Sequence, residues 1–279
     1  MRIPGDVDPL YALARRVLLD ALGAFGDQRN AIILVGAQAI YMHTGDADLA
    51  VALFTTDADI AFDPAALLPD PKLEEAMGKA GFVPDPEQIG IWRGEHEGVS
   101  VDLLVPAAVG GAGRRGARLG PHGNKAARKV RGLEGALVDN APTDIEALEN
   151  GDVRRYTIRV AGPTALLVAK LHKLGERQNE PGRLADKDAL DIYRLLRAIP
   201  VEVLGNRLRL LLRDPRSAEV TAEAIGYLGS LFGTTTSAGS LMVARAVVPL
   251  EDPATVAASS VALSDELLSR LEGAVPDTR

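Results

Sequence analysis

Apolar positions follow two periods in the first two thirds of the chain and a single helical period after that. Residues 8–25 place Leu10, Leu13, Val17, Leu18, Leu22 and Phe25 on one helical side, behind an Asp8–Pro9 pair suited to a helix start. A short apolar run, Ile32 to Val35, ends at Gly36–Ala37 and passes into a helix-like stretch over about 37–44. Strands are predicted at 56–62, 89–93, 98–105 and 153–160. A proline-punctuated loop (Pro64, Pro69, Pro71) precedes a short helix at 72–79. Pro163 opens a strong helix running to Arg177, with Leu166, Leu167, Leu171 and Leu174 on its apolar side. After a loop at 178–184, a second helix covers 185–194. Amphipathic helices then follow at Val201–Leu212, Ser217–Phe232 and Asp265–Leu271, and the tail from Pro276 is expected to fray. This order predicts an α/β (α+β) chain. A mixed sheet with flanking helices over 1–160 is followed by a mainly helical domain over 161–279.

Two carboxylates stand out. Asp57 and Asp59 sit one residue apart in the second strand, so both side chains point to the same face. Paired anions repel unless a cation lies between them, and Mg²⁺ is the hard cation that takes oxygen ligands. A glycine at a helix start just before them, Gly36, offers free N–H groups and a positive dipole end to a phosphate. Asp102 lies inside the apolar strand at 98–105, where an acid is costly unless paired or bound to metal, and it is expected as a third carboxylate. The bland reading of each is a tight turn at Gly36 and an outward-facing acid at Asp102. Lys170, Lys173 and Arg177 share one side of the helix opened by Pro163, and Asp188 and Asp191 share a face of the next. A solvated lysine face and simple helix capping, with Asp186 in the capping role, are the corresponding structural readings.

Composition narrows the class. The chain has 279 residues, 47% hydrophobic and 25% charged, which is ordinary for a folded globular protein. Aromatics make up only 4%, so the core must rest on Leu, Val, Ile and Ala. With no cysteine, disulfide scaffolds and thiolate metal sites are excluded. No signal peptide or membrane span is expected, and a cytoplasmic location is. The net charge of −7 argues against a general nucleic-acid binder. The charge is uneven, however: Arg114, Arg115, Arg118, Lys125, Arg128, Lys129 and Arg131 form a run without an intervening acid. Its first three members fall in a Gly-, Ala- and Arg-rich stretch at 106–124, read as a mobile loop carrying the basic patch, with His122 at its surface. A solvated insertion is the alternative. The Gly- and Thr-rich piece 233–239 lacks a P-loop lysine and is not read as a phosphate cradle.

Four stretches in order, LVGAQAIYMHTG with TTDADIAF, VDLLV, AKLHKLGER and DKDALDIYRLLR, resemble the nucleotidyltransferase superfamily, and within it the AbiEii-type, MenT-like toxins of toxin–antitoxin systems. The resemblance implies the nucleotidyltransferase fold and transfer of a nucleoside monophosphate from an NTP to RNA, at the tRNA 3′ end. It implies Mg²⁺ (or Mn²⁺) at Asp57, Asp59 and Asp102. Nucleotide contacts are implied at Gly36, Ala37, Thr56, Lys170 and Lys173. Asp57, Asp59, Lys170 and Asp188 carry the catalytic roles. The basic run would hold the RNA backbone, and a cognate antitoxin protein is the expected partner. Two features depart from the family pattern: Ala37 stands where a glycine or serine often follows Gly36, and Leu53–Phe54 stand where an arginine often precedes the D-x-D strand. Two other readings stay open, an enzyme of the same fold acting on a small molecule or protein hydroxyl, and a non-catalytic binding protein.

Overall fold

Asp8 starts the described fold. Its carboxylate accepts from the backbone N–H of Leu10 at 2.8 Å and of Tyr11 at 3.2 Å, capping helix α1 (Pro9–Phe25). The computed structural model describes residues 8–45, 49–51, 53–96, 98–177 and 185–272. The sequence-predicted loop at 178–184 and the tail from 276 lie outside them. The buried side of α1 differs in detail from the sequence reading. Leu10 is exposed, whereas Arg15 is buried, bonding Gln38 at 2.9 Å and the Glu146 carbonyl at 3.1 Å.

The strands are β1 (Ile32–Leu34), β2 (Asp57–Phe62), β3 (Val83–Pro84), β4 (Ile91–Arg93), β5 (Ser100–Pro106), β6 (Arg128–Val130), β7 (Asn140–Glu146) and β8 (Arg155–Ala161). They form one mixed sheet in the order β3-β4-β5-β2-β1-β8-β7, with β6 pairing β5 outside that path. β1 runs antiparallel to β2 and parallel to β8, and β2 runs parallel to β5. Strand β1 and the apolar positions of β2 and β5 are buried because these strands lie at the centre of the sheet, covered by helices, and the acids Asp57, Asp59 and Asp102 interrupt that apolar run.

Helices α2 (Gly36–Thr44) and α3 (Leu73–Lys79) accompany the sheet. The helical part follows with α4 (Pro163–Gly175), α5 (Asp186–Ala198), α6 (Val201–Arg213), α7 (Ala218–Phe232), α8 (Ala238–Ala246) and α9 (Pro253–Glu272). The expected mixed sheet with flanking helices and a helical C-terminal region is present. The last helix begins a dozen residues before the predicted one, since its Ala- and Ser-rich first half gives a weak apolar stripe. α2 packs on both α4 and α5, which joins the helical part to the sheet beside the D-x-D strand. Among the described residues no helix is long and apolar enough to cross a membrane.

The basic stretch at 106–124 is a folded element rather than a loose loop. Backbone bonds tie Ala117 to Ala127 at 2.9 Å and Lys129 to Arg115 at 2.7 Å, and Ala117, Leu119, Ala126 and Ala127 are buried. His122 is buried too: its Nδ1 accepts from the Leu73 N–H at 3.2 Å and its Nε2 meets the Leu68 carbonyl at 2.8 Å. The Pro–His–Gly sequence looked like surface because it has no periodicity. The ring is used instead to cap the loop before α3.

Candidate active site

The short strand β1 delivers the chain to Gly36, which starts α2 with φ +70°, a conformation that glycine adopts without strain. Glycine is needed there for a second reason: a Cβ at this position would lie 1.9 Å from Asp59 Oδ2. Asp59 therefore presses directly against the N-terminal turn of α2. The Val35 N–H donates to the Asp59 carbonyl at 3.1 Å, and Gln38 Nε2 donates to the Asp57 carbonyl at 3.2 Å. β2 is thus held along α2 from Gly36 to Gln38, with both aspartates turned to one face. Ala37 is buried with its side chain in the core, so only its backbone can meet a ligand.

Asp59 and Asp102 are register partners on β2 and β5. Asp102 is buried, and Arg128, on the next strand over, donates from Nη2 to its Oδ2 at 2.5 Å. Burial pushes the Asp59 carboxyl up to about 7, and repulsion from Asp57 and Asp102 adds to that. Part of the Asp59 surface still opens to solvent, although protein crowds it closely. Asp102 is also raised, by burial above all, against the opposing pull of Arg128.

A cleft of about 410 Å³ opens beside these acids. Its walls include Gly36, Asp59, Arg128, Lys129, Lys170 and Lys173. Lys170 is nearly inaccessible from outside, with its ammonium 2.7 Å from Asp188 Oδ1 and 2.7 Å from Asp191 Oδ2. The Asp191 contact lies off the hydrogen-bond axis, so the pairing there is electrostatic. Lys173 reaches the same Asp188 oxygen at 2.9 Å. Burial would lower Lys170, but the two aspartates outweigh it and hold the ammonium charged. Burial would likewise raise Asp188, but Lys170 and Lys173 hold it well below the usual carboxylate range. Asp188 and Asp191 are consequently anchors for α4 lysines rather than helix caps. Asp186 instead pairs with Arg245 at 2.7 Å, and α5 has no side-chain cap.

The structure divides the basic run. Arg128, Lys129 and Arg131 line the cleft, and Lys129 Nζ also bonds the Gly111 carbonyl at 2.9 Å and the Gly113 carbonyl. Arg131 is clamped by Glu219 and Glu223 of α7 at 2.8 and 2.6 Å. Arg114, Arg115, Arg118 and Lys125 are exposed. A linear stretch of positive charge gave no sign of this division, because it depends on the register of β6. The expected Thr56 offers its carbonyl to the Ser100 N–H at 3.1 Å, whereas the hydroxyl that donates to Asp57 Oδ1 belongs to Thr55. Lys187 in turn donates to Thr55 Oγ1 at 3.2 Å. Both residues were missed from sequence. Thr55 could have been found from its i−2 spacing to Asp57, which places it on the same side of the chain.

These oxygen ligands suit a hard divalent cation. Among the described residues no three acidic or histidine side chains already converge as a cage. Mg²⁺ does not need one, since it is commonly held by one or two carboxylates together with substrate phosphates. Asp57 and Asp59 fit that role, while Asp102 is engaged by Arg128 through one oxygen.

A family model described as "Nucleotidyltransferase" matches residues 15–214, most of the chain. A search of curated proteins finds no match. A crystal structure from H. pylori, provisionally assigned as a nucleotidyltransferase, aligns over 94% of this chain and 97% of its own, at 10% identity. Its TM-score of 0.34 is too low for it to carry an argument.

Proposed function

The chain belongs to the nucleotidyltransferase family, and we propose that it moves a nucleoside monophosphate from an NTP to the 3′ end of an RNA, as a tRNA-directed toxin would. The observation that carries this reading is Asp59 in the wall of a cleft shared with Lys170, Lys173 and Arg128, with Asp57 two residues before it on the same strand. An anionic triphosphate fits such a cleft. Arg128 Nε is buried and has no hydrogen-bond partner among the described residues, so it has a donor to spare for a phosphate oxygen.

In the reaction the acceptor oxygen forms a bond to the α-phosphorus. The bond from that phosphorus to the bridging oxygen breaks, and pyrophosphate leaves with the electron pair. The hydroxyl proton passes to Asp102 Oδ1, the oxygen that Arg128 does not hold and that accepts only a long 3.5 Å bond from the Ser100 hydroxyl. Mg²⁺ or Mn²⁺ on Asp57 and Asp59 would supply charge neutralisation at the phosphates. Lys170 and Lys173 offset the charge developing on pyrophosphate. Asp188 and Asp191 position Lys170 so that it can do so without rearrangement. Gly36 and the backbone of Ala37 let the nucleotide approach the α2 N-terminus closely.

The exposed Arg114, Arg115, Arg118 and Lys125 favour RNA over a small-molecule acceptor, because a compact acceptor has no need of positive charge at that distance from the cleft. A cognate antitoxin is part of the same proposal. The test is incubation of the purified protein with total tRNA, Mg²⁺ and each labelled NTP in turn. Label on RNA is expected with at least one nucleotide. Label on protein or a small molecule, with RNA blank, would overturn the RNA assignment.

A further inference from the structure

Phe54 breaks the rule that this chain applies to its other phenylalanines. Of the five in the sequence, Phe25, Phe62, Phe82 and Phe232 are buried, whereas Phe54 is 42% exposed. Its backbone is nonetheless fixed. The buried Tyr41 hydroxyl donates to the Phe54 carbonyl at 2.7 Å, and the Tyr41 ring is itself held edge-on by Tyr11 at 5.5 Å. Lys187 stands 5.7 Å from the centre of the Phe54 ring and donates to Thr55, which donates to Asp57. An exposed aromatic face, an ammonium and a hydrogen-bonded link to one of the D-x-D carboxylates therefore meet at one place.

That place lies outside the cleft. The chain runs along α2 with Phe54 at Tyr41, Asp57 at Gln38 and Asp59 at Gly36. The cleft wall takes in Gly36 and Asp59 but none of Phe54, Thr55, Asp57 and Lys187. Three residues of chain span at most roughly 10 Å, so Phe54 is about one nucleotide's reach from Asp57. Attacking and leaving oxygens stand roughly in line across the phosphorus. If pyrophosphate departs into the lysine-lined cleft, the acceptor must arrive from the other side, past Asp57.

We infer that Phe54 and Lys187 form the acceptor shelf: the Phe54 ring stacks the base of the RNA's terminal nucleotide, and Lys187 meets its backbone phosphate. This rests on the RNA-directed transfer proposed above. Stacking suits a recognition that tolerates different bases, since every base has a π face, and Lys187 beside the ring adds charge without fixing sequence. It also gives a use to the Leu53–Phe54 departure from the family pattern.

The experiment compares wild type, Phe54→Ala and Phe54→Trp in the full chain, using tRNA and the accepted NTP. Phe54→Ala is expected to raise KM for RNA about ten-fold or more, leave KM for NTP unchanged, and be rescued by Phe54→Trp. In Phe54→Trp a short single-stranded oligoribonucleotide should quench the new tryptophan without NTP present. The one native tryptophan, Trp92, is buried and supplies a constant background. A raised KM for NTP alone, or quenching by NTP but not by RNA, would overturn the acceptor shelf. So would a wild type that labels RNA while Phe54→Ala matches it. A wild type that labels no RNA would instead strike at the transfer reading itself.

Discussion

Asp59 Oδ2 occupies the space in which a side chain on residue 36 would begin, 1.9 Å from an ideal Cβ built on Gly36. The carboxylate and the start of α2 are therefore fitted to each other. Gly36→Ala meets both this collision and a φ of +70°. It should destabilise the protein by about 1–3 kcal/mol and abolish transfer. Urea denaturation alongside the labelling assay would show it; an active Gly36→Ala enzyme of wild-type stability would contradict the fit.

Asp59 is strained in a second sense, because burial and two neighbouring acids disfavour its charge. Asp59→Asn should stabilise the metal-free protein at neutral pH by on the order of 1–2 kcal/mol while eliminating activity. Thermal melts with and without Mg²⁺ separate the effects. Wild type should gain stability from Mg²⁺, and the variant should gain little.

Lys170 neutralises two buried aspartates. Removing one partner of such a group leaves uncompensated charge inside the protein, so Lys170→Met should cost about 3–5 kcal/mol. Adding Asp188→Asn to that variant should recover part of the loss. No recovery in urea denaturation would mean that packing, not charge, holds the site.

The same cluster sets an acid limb. Asp188 is held low in the folded protein by Lys170 and Lys173 against the effect of burial. Its contribution is therefore fully present above the ordinary carboxylate pKa of about 3.9 and is lost as pH falls below it. The Asp188→Asn variant should show a shallower fall in stability from pH 5 towards pH 2, followed by urea midpoints.

Much of the centre of the site was legible from sequence. β1, Gly36, the D-x-D strand and the two helices bearing Lys170 and Asp188 follow from strong periodicity and from two acids at a spacing of two. What was not legible depends on register across the sheet. Three-residue β6 is too short to show a period, yet its register sets Arg128 against Asp102. Arg131 similarly finds Glu219 and Glu223 only once α7 is packed beside it.

The exposed part of the basic run keeps a separable role. Replacing Arg114, Arg115, Arg118 and Lys125 with alanine should weaken RNA binding and flatten its salt dependence by about one unit of slope for each phosphate no longer neutralised. NTP binding in the cleft should not change. An unaltered salt slope in filter-binding titrations would remove this surface from the RNA path.

The most direct test of the central claim follows the label through the NTP. With tRNA and Mg²⁺, α-labelled nucleotide should appear on RNA, γ-labelled nucleotide should appear only in pyrophosphate, and the Asp57→Ala/Asp59→Ala double variant should yield neither. Transfer of the γ label, or undiminished transfer by the double variant, would contradict nucleotidyl transfer at these two aspartates.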